Sequence, residues 1–91
     1  MSLNRYAKRK DMAQTAIVQA LRRCGCDVLV TDATDLIVGR AGLTYILEVK
    51  NPGYTDRDLK PSQIKLRDHW RGQYAIVTTA EEALRAVGVI T

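Results

Sequence analysis

Three charged residues stand inside two short apolar segments of this 91-residue chain. Asp35 opens the segment DLIV at residues 35–38, and Glu48 and Lys50 lie in the segment ILEVK at residues 46–50. Both segments have strand-forming composition, and the sequence RAG between them is typical of a tight turn, so together they predict a β-hairpin. Sheets that cover a core rarely carry two carboxylates and an ammonium group unless those groups serve a chemical purpose.

The composition is that of one small globular domain, because 91 residues leave no room for a second and hydrophobic residues make up 46% of the chain. No apolar run is long enough to cross a membrane, and the N-terminus lacks the apolar segment of a secretory signal. A disulfide between Cys24 and Cys26 would be strained, and His69 is the only histidine, so we expect reduced thiols and no zinc site. These features predict a cytoplasmic protein, and bacterial and phage-encoded origins both fit.

Positive charge dominates the chain, with a net charge of +4 and an isoelectric point near 9.3. Much of it falls in residues 1–10, which we predict to be a basic N-terminal arm that precedes one domain at residues 11–91. A cluster of lysine and arginine favours a polyanionic partner such as DNA. The alternative is a solvated basic tail, which is a common pattern.

Hydrophobic spacing predicts the element order αβββαβα. The first helix is expected between Asp11 as N-cap and Gly25 as stop, the second between Pro61 and Gly72, and the third after a capping box that begins at Thr79. Four strands are expected, at residues 27–31, 35–39, 43–50 and 74–78, the last of them buried on both faces. The fold class is therefore α/β, with a mixed sheet flanked by helices.

The geometry of the hairpin decides whether its charges meet. Glu48 and Lys50 are two residues apart on one strand and therefore share a face. A two- or four-residue loop brings Asp35 to that face, whereas a three-residue loop puts it on the opposite face unless a bulge corrects the register. The common loop lengths therefore gather two carboxylates and a lysine.

This set of side chains predicts phosphodiester hydrolysis, with Asp35, Glu48 and Lys50 as catalytic residues. Two carboxylates at close range repel each other, and a Mg²⁺ ion bound between them removes that cost. Such an ion can polarise a phosphodiester oxygen and lower the pKa of a bound water. Lys50 can orient that water or neutralise charge that grows on the phosphate. A Glu-x-Lys segment by itself is more typical of a solvated strand face.

Gln63 is a further candidate for the site. It falls at i, i+3 and i+7 with Leu66 and Trp70, so we expect all three side chains to face the sheet. An inward glutamine near a helix start could hydrogen-bond a phosphate or a metal-bound water. The alternative is that its side chain satisfies free backbone groups at the helix start.

These elements and motifs resemble the PD-(D/E)XK nuclease superfamily and, within it, the VRR-NUC domain. Three segments carry the resemblance: TDLIV at residues 34–38 is similar to the Pro-Asp-Leu strand, ILEVKN at 46–51 to the Glu-x-Lys strand, and LKPSQ at 59–63 to the Leu-Ser-Pro-x-Gln helix start. The resemblance covers residues 27–91 well and the first helix loosely. Thr34 stands in place of the motif's proline, and Lys60 in place of its N-cap serine.

The resemblance implies a restriction-endonuclease-like core and a metal-dependent nuclease. The metal would be bound by Asp35, Glu48 and the backbone carbonyl of Val49. Lys50 would be the catalytic lysine, and Gln63 the family glutamine. Stand-alone members of this kind are associated with DNA junctions and act as dimers, and archaeal Holliday junction resolvases share the core.

Several other residues are secondary candidates. Family members often carry a glutamate on the first helix as a further metal ligand, and this chain offers only Gln14 near the inward stripe as a weaker substitute. His69 is expected to be structural or exposed rather than a general base, and Trp70 is expected to lie in the core. Six residues of the arm and of the polar loop at 51–60 are candidates for DNA contact: Lys8, Arg9, Lys10, Tyr54, Arg57 and Lys60.

The leading hypothesis is a Mg²⁺- or Mn²⁺-dependent endonuclease that acts on structured or branched DNA, such as a four-way junction, without contact to a membrane. Because one chain carries one site and a symmetric cut of two strands needs two, we expect a homodimer. The lack of a first-helix glutamate motivates the alternative, a catalytically inactive nuclease-fold module that binds DNA. A structural subunit whose basic arm binds a protein partner is the third alternative.

Overall fold

The computed structural model describes residues 4–31 and 35–91, with side chains from residue 12 onward. Its helices and strands are α1 (Asn4–Arg23), β1 (Asp27–Val30), β2 (Asp35–Arg40), β3 (Leu43–Val49), α2 (Pro61–His69), β4 (Gln73–Val77) and α3 (Ala80–Ala86). A short 3-10 turn at Asp56–Asp58 interrupts the loop between β3 and α2. The predicted order αβββαβα is confirmed. The connector expected at residues 32–34, including Thr34 of the resemblance motif, lies outside the described residues.

The four strands form one mixed sheet in the order β1-β2-β3-β4. The first three strands are antiparallel, and β4 is parallel to β3 after a crossover through α2. Because β4 is the last strand in this order, it has a neighbour on one side only. Of its five residues only Val77 is fully buried, so the prediction of a strand buried on both faces is wrong.

A two-residue loop closes the hairpin between β2 and β3. Arg40 pairs with Leu43, and the residues between them, Ala41 and Gly42, have φ angles of +53° and +79°. Two consecutive positive φ angles are those of a type I′ turn, whose twist matches that of the flanking strands. Glycine adopts this conformation freely, whereas alanine does so at a cost. Of the loop lengths that the sequence left open, the chain uses the shortest.

The hydrophobic core lies on one face of the sheet. Leu36, Val38, Leu47 and Val49 point to this face and are fully buried. They pack beneath α1 and α3, against Ile17 and Leu21 of α1, Ala83 of α3 and Val87 at the C-cap of α3. The residues that alternate with them on β2 and β3 point to the opposite face. Asp35 and Glu48 belong to this second face.

The first helix is longer than its sequence pattern predicted. It begins at Asn4, so Asp11 lies inside it and is not its N-cap, and most of the predicted basic arm is helical. Lysine, arginine and alanine are good helix formers, and nothing in residues 4–10 breaks a helix. The predicted stop at Gly25, with φ of +86°, is confirmed. Within the described residues, no helix combines the length and apolarity that crossing a membrane requires.

The caps of the later helices agree in part with their prediction. Pro61 is the first residue of α2, as expected. Thr79 caps α3, and its Oγ1 accepts a hydrogen bond from the Glu82 backbone N–H at 3.1 Å. The carboxylate of Glu82 accepts from the backbone N–H of Thr78 at 2.7 Å rather than from Thr79. The Glu82 side chain therefore bonds to the residue before the N-cap, and not to the N-cap residue as in a standard capping box.

Candidate active site

Asp35 and Glu48 are paired directly across the β2–β3 ladder. This register follows from the two-residue loop, because each residue before Arg40 on β2 faces the matching residue after Leu43 on β3. Residues that are directly opposed in an antiparallel pair point to the same face. The prediction that the hairpin brings these two carboxylates together is confirmed.

Three polar or charged residues are buried in the described part of the chain: Glu48, Lys50 and Gln63, with 1%, 5% and 8% of their surfaces exposed. All three were predicted as site residues. Burying a charge is expensive unless it is paired, and fully buried lysine and glutamate are rare. Burying these three side chains therefore costs free energy that apolar residues at the same positions would not cost.

Lys50 lies beside Glu48, with 3.7 Å between Lys50 Nζ and Glu48 Oε2. The two side chains share a face, as their spacing of two residues predicted. Lys50 directly follows β3, and its backbone N–H donates to the Val77 carbonyl at 3.0 Å, which ties it to β4. The ammonium group compensates the charge of the buried carboxylate, so the pair can be buried together.

Gln63 adopts the arrangement that the alternative interpretation describes. Its Oε1 accepts a hydrogen bond from the backbone N–H of Lys60 at 2.8 Å and so satisfies a donor at the start of α2. Lys60 makes no side-chain cap of its own. Since this oxygen is engaged, the remaining hydrogen-bonding group of Gln63 is its amide NH₂, which can only donate. Any contact with a substrate oxygen would be made through that group.

Tyr74 is a residue of this site that sequence reasoning missed. It pairs with Ile46 in the parallel β3–β4 ladder, and Glu48 pairs with Ile76, so Tyr74 lies on the Glu48 face of the neighbouring strand. Its hydroxyl is inaccessible to solvent and has no hydrogen-bond partner among the described residues. Burial, together with the negative charges of Glu48 and Asp35, raises the pKa of Tyr74 to about 12. The apolar run at residues 74–78 conceals this residue, because its face is defined only by pairing with β3.

The acidic pair fits a hard divalent cation. No group of three or more histidine, cysteine, aspartate or glutamate residues forms a metal cluster in residues 12–31 and 35–91. Mg²⁺ needs no such cluster, because it retains several waters and is often held by one or two carboxylates together with substrate phosphate. The side chain of Val49 is buried in the core on the opposite face, so only its backbone carbonyl is suited to ligation.

Gln14 is not brought to the acidic pair by any described contact. It lies on α1 and is partly buried, and α1 packs Ile17 and Leu21 into the core on the opposite face of the sheet from Glu48. Within the described residues it makes no hydrogen bond to Asp35 or Glu48. The structure thus gives no support to Gln14 as a substitute ligand.

Trp70 is half exposed, so its predicted place in the core is wrong. The prediction assumed that α2 continues to Gly72, but the helix ends at His69 and Trp70 follows it with extended backbone angles. Helical spacing therefore no longer places Trp70 beneath Leu66. The indole lies against Gly72, where a methyl group would come within 2.7 Å of Nε1. His69 is exposed at the end of α2, in line with the structural or surface position expected for it.

The candidate DNA-contacting residues fall into two groups. Tyr54 is partly buried, and Arg57 and Lys60 are exposed in the loop before α2. Arg67 of α2 is ion-paired with Asp56 of this loop at 2.8 Å, which links the loop to α2. Hydrogen bonds to the carboxylates of Asp68 and Asp56 raise the pKa of Arg67. The side chains of Lys8, Arg9 and Lys10 lie outside the described residues.

Comparisons of this chain with protein-family models, with curated proteins and with solved structures give no match. The likeness to PD-(D/E)XK nucleases therefore remains a prediction from three short motifs.

Proposed function

We propose that this chain is a Mg²⁺- or Mn²⁺-dependent phosphodiesterase that cuts DNA. The observation that carries the proposal is the buried Glu48–Lys50 pair beside the directly opposed Asp35. The pair lies on the face of the sheet opposite the hydrophobic core. Replacing a buried ion pair by apolar residues is often neutral or stabilising. A function that needs two acids and a cation accounts for its presence.

In this proposal Asp35 and Glu48 hold the divalent cation between their carboxylates. When bound, the cation supplies Lewis acidity toward a phosphodiester oxygen and lowers the pKa of a bound water. Lys50, already within 3.7 Å of Glu48, donates to the phosphate and stabilises the negative charge that grows in the transition state. Gln63 holds the start of α2 in place through Lys60 and offers its NH₂ as a donor.

DNA is the substrate class that the charge favours. The chain carries a net charge of +4. Lys65 and Arg71, on α2 and just beyond it, are exposed and make no ion pair within the described residues. Basic surface of this kind binds phosphate backbones with strong salt dependence. Since each chain has one such site, a symmetric cut across a four-way junction or other branched DNA would be made by a homodimer.

The test is cleavage of a four-way junction and a linear duplex by the parent protein, Glu48→Gln and Lys50→Ala, with Mg²⁺ or Mn²⁺ and with EDTA. We expect metal-dependent cleavage by the parent and a loss of at least ~100-fold in both variants. Glu81→Gln, which alters an exposed ion pair on α3, is the matched control. Equal activity in the parent and Glu48→Gln would exclude this function.

A second readout does not depend on cleavage. Mn²⁺ should raise the unfolding temperature of the parent, because a ligand that binds only the folded state stabilises it. Glu48→Gln removes one carboxylate and should lose most of this shift, whereas Glu81→Gln should keep it. An equal shift in all three proteins would place the metal elsewhere.

One observation favours a second candidate, a nuclease-fold module that binds DNA without cutting it. No third carboxylate joins Asp35 and Glu48 in the described part of the chain, and Gln14 on α1 does not replace it. This candidate predicts DNA binding that depends steeply on salt, is indifferent to EDTA and leads to no strand scission. The cleavage experiment separates the two candidates directly.

A further inference from the structure

The Tyr74 hydroxyl lacks a hydrogen-bond partner among the described residues although solvent cannot reach it. A buried hydroxyl without a partner is costly, and a phenylalanine would fill the same space without that cost. Such groups are uncommon in folded proteins and call for a physical explanation. A partner that arrives only with the substrate is one such explanation.

The position of Tyr74 directs it toward the acidic pair. Paired residues of a parallel ladder point to the same face, so Tyr74, opposite Ile46, lies on the face that carries Glu48 two residues further along β3. The charges of Glu48 and Asp35, and that of Arg67 from α2, all act on its ionisation. Tyr74 therefore borders the site from β4, on the side opposite Asp35.

The chemistry of the phenol selects the kind of partner. A tyrosine hydroxyl keeps its proton at neutral pH, so Tyr74 is a hydrogen-bond donor there. A metal cation has no lone pair to accept that hydrogen bond. An anionic oxygen does, and hydrogen bonds to charged acceptors are the stronger class. The Glu48 carboxylate on the same face is one anionic acceptor, but within the described residues no hydrogen bond joins it to the Tyr74 hydroxyl. An oxyanion of the substrate, bound beside Glu48 and Lys50, is the other acceptor of this kind.

We propose that Tyr74 is a substrate-contacting residue: when DNA binding opens the covered site, its hydroxyl donates a hydrogen bond to a non-bridging oxygen of the phosphodiester bound at Asp35, Glu48 and Lys50. This inference rests on the proposed function and assigns it a group from a fourth position, on β4. Lys50 and Tyr74 then reach the phosphate from neighbouring strands. The phosphate is held by donors from two sides, while the carboxylates hold the cation.

The test compares the parent with Tyr74→Phe, using a fluorescein-labelled linear DNA duplex. Binding is measured with Ca²⁺ in place of Mg²⁺, and cleavage with Mg²⁺ or Mn²⁺. We expect Tyr74→Phe to weaken binding or cleavage by about 10- to 100-fold, the factor for one hydrogen bond to a charged acceptor. We also expect its unfolding temperature in the absence of DNA and metal to equal or exceed that of the parent. If the hydroxyl were purely structural, its removal would lower the unfolding temperature as well as binding or cleavage.

Tyr45→Phe is the matched control, because Tyr45 is buried on the opposite, core-facing side of β3. It should leave binding and cleavage unchanged. Equal binding and cleavage by the parent and Tyr74→Phe would overturn the inference while leaving the nuclease proposal intact. If the parent protein binds DNA without cutting it, and Tyr74→Phe binds more weakly, the contact between Tyr74 and phosphate is supported and the nuclease proposal is excluded. A parent that neither binds nor cuts would exclude both, and a destabilised Tyr74→Phe would assign the hydroxyl a structural partner.

Discussion

Asp35 and Glu48 face each other directly in the β2–β3 ladder, and the ammonium group of Lys50 lies 3.7 Å from Glu48. Like charges in directly opposed strand positions destabilise a sheet. Lys50 offsets this repulsion in the metal-free protein, and a divalent cation would offset it further. The stability of the metal-free protein should therefore depend on Lys50.

Replacing Lys50 by methionine should lower the free energy of unfolding by on the order of 3 kcal/mol in metal-free buffer, because it removes the ammonium group that lies 3.7 Å from a buried carboxylate oxygen. The double variant Glu48→Gln with Lys50→Met should recover most of that loss. Urea unfolding of the parent and both variants measures this. Lys65→Met, at an exposed position of α2, is the control. If the double variant were no more stable than Lys50→Met, the two side chains would not be coupled.

The hairpin turn offers a route to a more stable protein with the same site. Ala41 has a φ of +53°, which costs an alanine roughly 1 kcal/mol and which asparagine tolerates better. Ala41→Asn should raise the unfolding temperature by about 4–8 °C, the shift that ~1 kcal/mol produces in a domain of this size. Gly42→Ala should lower it. Calorimetry of the three proteins decides the matter, and an unfolding temperature lowered by Ala41→Asn would contradict a type I′ turn.

The raised pKa of Tyr74 predicts how stability changes in alkaline solution. Between about pH 10, where an ordinary tyrosine ionises, and about pH 12, the folded protein retains this proton and the unfolded chain loses it. Stability therefore falls as pH rises through this interval. Tyr74→Phe should show a shallower fall, measured by urea unfolding from pH 9 to 12. Parallel curves for the two proteins would show that Tyr74 titrates normally.

Arg71 and Arg67 provide a contrast between free and engaged cations. Arg67 is ion-paired with Asp56 and Asp68 at 2.8 and 2.9 Å, whereas Arg71 is exposed without an ion pair in the described part of the chain. Arg71→Ala should weaken duplex binding and reduce the slope of log affinity against log salt by about 1. Arg67→Ala should change the slope less. Fluorescence anisotropy between low and moderate salt measures both, and equal slopes in all three proteins would remove Arg71 from the interface.

Local patterns in the sequence were sufficient for the element order and for most of the site. Alternation on β3 placed Glu48 and Lys50 on one face, and a short glycine-containing turn restricted the register of Asp35. Both are properties of neighbouring residues, so they can be read without knowledge of the fold. The role of Gln63 was left open between two alternatives, and the hydrogen bond from Lys60 favours the helix-start alternative.

The errors occurred where a residue's environment depends on where an element ends or on which element lies next to it. Trp70 was assigned to the core because helical spacing was extended beyond His69, where α2 ends. The apolar composition of β4 predicts burial on both faces, but composition does not show how far neighbouring elements cover the strand, and only Val77 is fully buried. The start of α1 was placed at Asp11 because a capping residue inside a strong helix resembles one at its end.

The sequence by itself determined the α/β class, the hairpin and the three charged residues that meet on it, because these follow from periodicity and turn chemistry within about fifteen residues. Only the tertiary structure decided that Tyr74 joins them. Its face and its burial arise from parallel pairing with β3 across the α2 crossover. That pairing joins segments far apart in the chain, so it cannot be predicted from the residues next to Tyr74.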